Sequence, residues 1–127
     1  MELKEATPDT GKSIPQNRLS DGRAIPALGL GTFGSDLYTA DQIAGAVDFA
    51  IRQGYRHIDC ASVYMNEKEI GAVLAGLLRE GVVRREELWI TSKVWNDAHG
   101  EGEVLAACEK SLTDLQLEYL DLYLVHW

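Results

Sequence analysis

Four residues of this sequence have side chains suited to moving a proton, Asp59, Tyr64, Lys93 and His126, and three of them, Asp59, Lys93 and His126, recur at nearly equal intervals. Asp59 ends the apolar start of GYRHIDCASVY, residues 54–64, and Tyr64 follows it five residues later. A carboxylate at the inner end of an apolar segment needs a partner, because an unpaired buried charge is very costly. Lys93, closing LWITSK, is the candidate partner, and His126 stands near the end of LDLYLVHW. Asp59 and Lys93 are 34 residues apart, Lys93 and His126 33, which leaves room for one βα unit in each interval. Trp95 and Trp127 lie beside them and can form the apolar walls of a pocket. Each residue also has a structural explanation. Asp59 can cap the next segment, Tyr64 can be a core aromatic with its hydroxyl at the surface, Lys93 a solvated strand end, and His126 a satisfied histidine in a half-buried strand. Only their joint placement favours chemistry.

The elements that must position them alternate. RLSDGRAIPAL carries Asp21-Gly22 between two short apolar segments, a hairpin signal, and Pro26 suggests an edge position. LGLGTF reads as a strand ending near Thr32. In TADQIAGAVDFAIRQG, Thr39 and Gln42 have capping-box spacing, Ile43, Ala46, Val47 and Ala50 form an apolar stripe, and Gly54 stops the helix. YRHID is a strand. NEKEIGAVLAGLLREG is a second helix with Asn66 as N-cap, Ile70, Val73, Leu74 and Leu77 on one face, and Gly81 at its end. LWITSK, EVLAACEKSLTDLQL and LDLYLVHW complete the series as strand, helix and strand. This order predicts a parallel sheet with right-handed crossovers. Parallel strands bring their C-terminal ends to one edge, where α/β folds bind ligands.

GLGTFG, residues 29–34, matches the dinucleotide motif G-x-G-x-x-G and follows a strand. That motif needs its helix to begin inside the glycine turn, whereas here SDLY intervenes before the cap at Thr39. A doubly wound dinucleotide fold stays open on the loop alone, but it gives Tyr64, Lys93 and His126 no task. A barrel gives all of them one.

The bulk properties set limits. The 127 residues make one domain's worth of chain, and 46% hydrophobic residues suffice for a core. A net charge of −8 argues against general binding of nucleic acid or anionic membranes. Cys60 and Cys108 lack metal-type spacing, so no metal site is expected, and both are read as buried thiols in a reducing compartment. The polar N-terminus has neither the apolar core of a signal peptide nor that of an anchor. A soluble cytoplasmic protein is expected, with residues 1–18 as a polar flexible tail.

From about Leu19 to Trp127 the sequence resembles the aldo-keto reductases. GYRHIDCASVYMNEKEIG is similar to the family signature around its catalytic aspartate and tyrosine. LWITSKVW and LDLYLVHW resemble the segments of its lysine and histidine, and DGRAIPALGLGTF its bottom hairpin and first barrel strand. The resemblance implies a (β/α)8 barrel reducing aldehydes or ketones with NADPH, and a monomeric full-length protein with a small-molecule carbonyl substrate. It implies Tyr64 as general acid, Lys93 as its charged neighbour, Asp59 as the group holding Lys93, and His126 as the group orienting the carbonyl. A free phenol, with a pKa of about 10, is a poor donor near neutrality, and a neighbouring ammonium favours its ionised form. By the same resemblance Gly31, Thr32, Phe33 and Asp59 lie beside the nicotinamide, and Phe33, Trp95, His126 and Trp127 line the substrate pocket. Some relatives carry Trp in place of Phe33. Residues 19–127 are then an incomplete barrel: the hairpin, four barrel strands and three helices. Whole barrels run to roughly 250 residues, so a truncated or partial form is expected, lacking most of the cofactor's phosphate cradle and prone to self-association. The alternative function is a non-catalytic binding or regulatory protein, or an inactive truncated product, of the same family.

Overall fold

The computed structural model describes residues 13–34 and 36–127. Strands β1 (Gln16–Arg18) and β2 (Ala24–Pro26) pair antiparallel, with Arg18 opposite Ala24. The expected hairpin is present, but its loop spans five residues rather than two. Gly22 turns it with φ +89°, and the Asp21 carboxylate accepts from the Arg23 backbone N–H and Nε–H at 3.0 and 2.7 Å. β1 also begins inside the segment expected as tail, because residues 16–18 have a partner strand to pair with. Of that tail, residues 1–12 lie outside the described residues.

Four strands form a parallel sheet: β3 (Leu30–Gly31), β4 (His57–Asp59), β5 (Trp89–Val94) and β6 (Leu122–Val125). Helices α1 (Ala40–Arg52), α2 (Glu67–Arg79) and α3 (Glu103–Leu115) connect them. Neighbours in the sheet are neighbours in sequence, with no reversal of order. Helix α1 packs on α2, and α2 on α3. Buried Val47, Ile51, Ile70, Leu74, Leu77 and Leu115 of these helices form one core with Ile58 and Ile90 of the sheet. A doubly wound fold reverses its strand order and covers both sheet faces, so this architecture is the N-terminal half of a (β/α)8 barrel, preceded by a hairpin. The glycine loop has another use. An added Cβ at Gly29 would lie 2.9 Å from the His57 ring, and one at Gly34 would lie 2.6 Å from Ile43 Cδ1. Those glycines serve close packing, and the helix starts only at Thr39.

Thr39 caps α1 as its spacing predicts: its hydroxyl accepts from Gln42 N–H, and the Gln42 side chain accepts from Thr39 N–H. Gly54 and Gly81 end α1 and α2 with φ of +107° and +72°. Asn66 departs from expectation. It stands at the N-cap of α2 but makes no capping bond there, and its side chain instead donates to the Thr32 carbonyl at 2.9 Å. Cys60 is buried, whereas Cys108 is only partly so, because it lies on a flank of α3 that the core does not reach.

Gly71 sets how closely α2 and α3 approach. A Cβ there would run into the backbone of Asp114 and Leu115, whereas at Gly76, on the same helix, it would meet only the tip of Arg79 at 3.9 Å. Alanine normally gains about 0.5–1 kcal/mol over glycine inside a helix. Gly76→Ala is therefore expected to raise stability by about that amount, and Gly71→Ala to lower it despite the same gain in propensity. Paired denaturant melts check this; a stabilised Gly71→Ala would mean that the helices are not in contact there.

Candidate active site

Along β4 and β5 the side chains alternate between two faces. Ile58 and Ile90 sit side by side in the core beneath the helices, whereas Asp59 and Thr91 share the opposite face. Lys93 is two residues beyond Thr91, on that same face. Register thus sends Lys93 and Asp59 to the inner side, one step apart, at the C-terminal end of the sheet.

There the Lys93 ammonium has three acceptors: Asp59 Oδ1 at 2.8 Å, the Cys60 carbonyl at 2.8 Å and the Tyr64 hydroxyl at 3.2 Å. The burial is the reverse of the sequence expectation. The Lys93 side chain is 11% exposed and that of Asp59 41%, so the ammonium is the enclosed charge and the carboxylate its more solvated partner. Burial alone would lower the Lys93 pKa, but the Asp59 and Tyr64 hydrogen bonds outweigh it and carry it above the ordinary lysine value. Lys93 is charged at neutral pH.

Tyr64 closes a short 3-10 turn, Ser62–Tyr64, between β4 and α2. Met65 follows in the left-handed region with φ +58°, a conformation costing a non-glycine residue about 1–2 kcal/mol. Hydrogen bonds on either side of it offset that cost. Ser62 Oγ donates to the Lys93 carbonyl at 3.3 Å, and Asn66 reaches the Thr32 carbonyl. Thr32, fully buried, in turn donates its N–H and its hydroxyl to the Asp59 carbonyl, at 3.1 and 2.9 Å.

Aromatic rings surround the phenol. Phe33 and His126 meet Tyr64 edge-on with centroids 5.3 and 5.9 Å away, and Trp95 packs between His126 at 5.2 Å and Trp127 at 6.4 Å. The His126 backbone N–H donates to the Val94 carbonyl at 3.0 Å, which extends the β5–β6 pairing to the ring. Burial, then the positive charge of Lys93, push the His126 pKa below its ordinary value, although Asp59 pulls the other way. Its imidazole is neutral near pH 7. Gly31 leaves open space where a Cβ would stand, and Phe33 and Trp127 are largely exposed. Asp59, Tyr64, Lys93 and His126 thus come together at one sheet edge, with Gly31, Thr32, Phe33, Trp95 and Trp127 around them. Ser62 and Asn66 were not anticipated from sequence, since a serine in a turn and an asparagine before a helix usually serve their own backbone.

The family model described as "Aldo/keto reductase family" matches residues 27–127. The chain belongs to this family. An aldo/keto reductase of Synechocystis is 59% identical over 110 residues, covering 86% of this chain and 32% of the relative. The aldo-keto reductase family 1 member A1 of Rattus norvegicus is 52% identical over 110 residues, covering 86% and 33%. The crystal structure of the Bombyx mori aldo-keto reductase in complex with NADP superposes with a TM-score of 0.86 at 42% identity, over 91% of this chain and 39% of that one. The chain spans about a third of the length of these curated relatives.

The His126 titration tests the electrostatics. Lys93→Met removes the charge that helps keep the imidazole neutral, so the His126 midpoint should rise from its depressed value toward that of a free histidine. NMR of the imidazole protons across pH 4–9 would report it (that range brackets the ordinary histidine value of about 6.5). An unmoved midpoint would mean that the Lys93 charge does not reach the ring.

Proposed function

We propose that this chain supplies the proton-transfer half of an NADPH-dependent reductase that converts aldehydes or ketones to alcohols. The observation that carries the reading is the charged Lys93 held 2.8 Å from Asp59 and 3.2 Å from the Tyr64 hydroxyl. The relationship to a reductase solved with NADP supports the choice of cofactor. So does the local shape: Gly31 leaves its Cβ direction open, and the peptide beyond it is pinned through Thr32. Gly31, Thr32, Phe33 and Asp59 would hold the nicotinamide end. When bound, NADPH supplies the hydride that reaches the carbonyl carbon.

Tyr64 delivers the proton to the carbonyl oxygen, and its O–H bond breaks as the alcohol O–H bond forms. Lys93 stabilises the phenolate left behind, because opposite charge favours the ionised form. Asp59 keeps the ammonium aimed. His126, being neutral, donates a ring N–H to the same oxygen and orients the carbonyl. Phe33, Trp95 and Trp127 supply the apolar walls that exclude water from the reacting groups. A cytoplasmic location belongs to this reading and is supported by two unpaired thiols, Cys60 and Cys108.

In the barrel protein carrying this segment, Tyr64→Phe removes one oxygen and little packing. General acid catalysis is commonly worth about 10²–10⁴-fold, so kcat should fall at least that far while cofactor affinity stays nearly constant. Near-normal turnover would remove Tyr64 from the role, and a regulatory or binding function would then be favoured. Lys93→Met and Asp59→Asn act on one network and should be non-additive. The double variant is expected to be little worse in kcat/KM than Lys93→Met alone, and fully additive losses would separate the two residues.

A further inference from the structure

We propose that Glu67 is a positioning residue for the Tyr64–Lys93 pair, acting through Ser92 from the opposite face of the sheet. The inference rests on the reductase reading for its kinetic consequence, but not for its structural one. Glu67 opens α2, three residues after Tyr64, and is 4% exposed. Acidic residues in a first helical turn usually face solvent, where they complement the helix dipole. This one is turned inward. Its Oε2 accepts from the Ser92 hydroxyl at 2.7 Å, and its Oε1 from the Ser111 hydroxyl of α3 at 2.8 Å. Both serines are buried.

The place of these bonds gives them their consequence. Ser92 directly precedes Lys93 on β5 and points to the helix side while Lys93 points inward. The Glu67–Ser92 bond therefore ties the α2 start to the lysine strand. Ser62 makes a second tie from the other side of Tyr64, to the Lys93 carbonyl, and Asn66 a third, to Thr32. The 3.2 Å separation of Tyr64 Oη and Lys93 Nζ is thus fixed by straps that bracket Tyr64 in sequence. Burial raises the Glu67 carboxyl above its ordinary range against the opposing pull of Ser92 and Ser111. A buried acid held by two neutral hydroxyls is a poor source of stability compared with an apolar side chain. Its geometric effect distinguishes it from filler.

Ser111 provides the internal control. It shares Glu67 with Ser92 but sits on α3, and its hydroxyl bonds Glu67 rather than the lysine strand. The test compares Glu67→Ala, Glu67→Gln, Ser92→Ala and Ser111→Ala in the barrel protein that carries this segment. It measures kcat and KM for a simple aldehyde, thermal melting, and the Lys93 titration by NMR of lysine labelled with ¹³C at Cε. Glu67→Ala and Ser92→Ala should lower kcat about tenfold or more, since misplacing a reacting group by about 1 Å is costly, with KM changed less than about twofold. In both, the Lys93 midpoint should fall, because the Tyr64 contact helps hold it up. Ser111→Ala should lower the melting temperature with kcat and the Lys93 midpoint intact. Glu67→Gln, which keeps the shape and one acceptor, should retain most of kcat. Melting that falls in Glu67→Ala or Ser92→Ala while kcat and the Lys93 midpoint stay at wild-type values would overturn the proposal and leave Glu67 as structural glue. Should Glu67→Ala fail to fold, Ser92→Ala decides alone. If even the wild type reduces no carbonyl, the reductase reading fails, and the Lys93 midpoint still decides this one.

Discussion

The ammonium of Lys93 is the constraint on which the rest of the site depends. A lysine with only 11% of its side chain exposed must meet acceptors or lose its proton. Three are supplied, from three kinds of group: a carboxylate, a backbone carbonyl and a phenol. Each accepts a hydrogen bond from the ammonium, so the enclosed charge is met within the fold. Asp59 is the more solvated partner, with 41% of its side chain exposed and Oδ1 turned to the ammonium.

Around that charge, a parallel sheet does what an antiparallel one would do less simply. Consecutive βα units repeat a direction, so the ends of β3, β4, β5 and β6 bring Thr32, Asp59, Lys93 and His126 to one edge. The helices lie in one layer on one face. The inner face is therefore free to be polar. The outer face carries the apolar core and also the Glu67–Ser92 bond, so one strand transmits position from the core face to the site face.

Much of this was legible in the sequence because it rests on local signals. The Thr39–Gln42 pair, the stripe of Ile43, Ala46, Val47 and Ala50 (of which Ala46 is exposed and Ala44 buried instead), and the stops at Gly54 and Gly81 each follow from periodicity and capping chemistry within a few residues. The joint placement of Asp59, Lys93 and His126 was legible from nearly equal spacing along a repeating unit. What was not legible depends on which way a polar side chain turns. Asn66 before a helix reads as a cap, and Glu67 in a first turn reads as a surface acid; both are buried and bound to other strands. The motif around Gly29 and Gly34 failed for a related reason, since glycine marks a close approach without saying to what. Here the neighbours are His57 and Ile43.

Position at this site is set by bonds between adjacent units: β3 to β4 through Thr32, β4 to β5 through Lys93, and the Tyr64 turn to both. No link in that series skips a strand. A perturbation within one unit should then reach the Tyr64–Lys93 distance through at most one neighbouring strand. The aromatic walls are different. Phe33 and Trp127 are more than half exposed, and each touches the site from one side only. The Lys93 network is thus closely hydrogen-bonded, whereas Phe33 and Trp127 are loosely held and exposed.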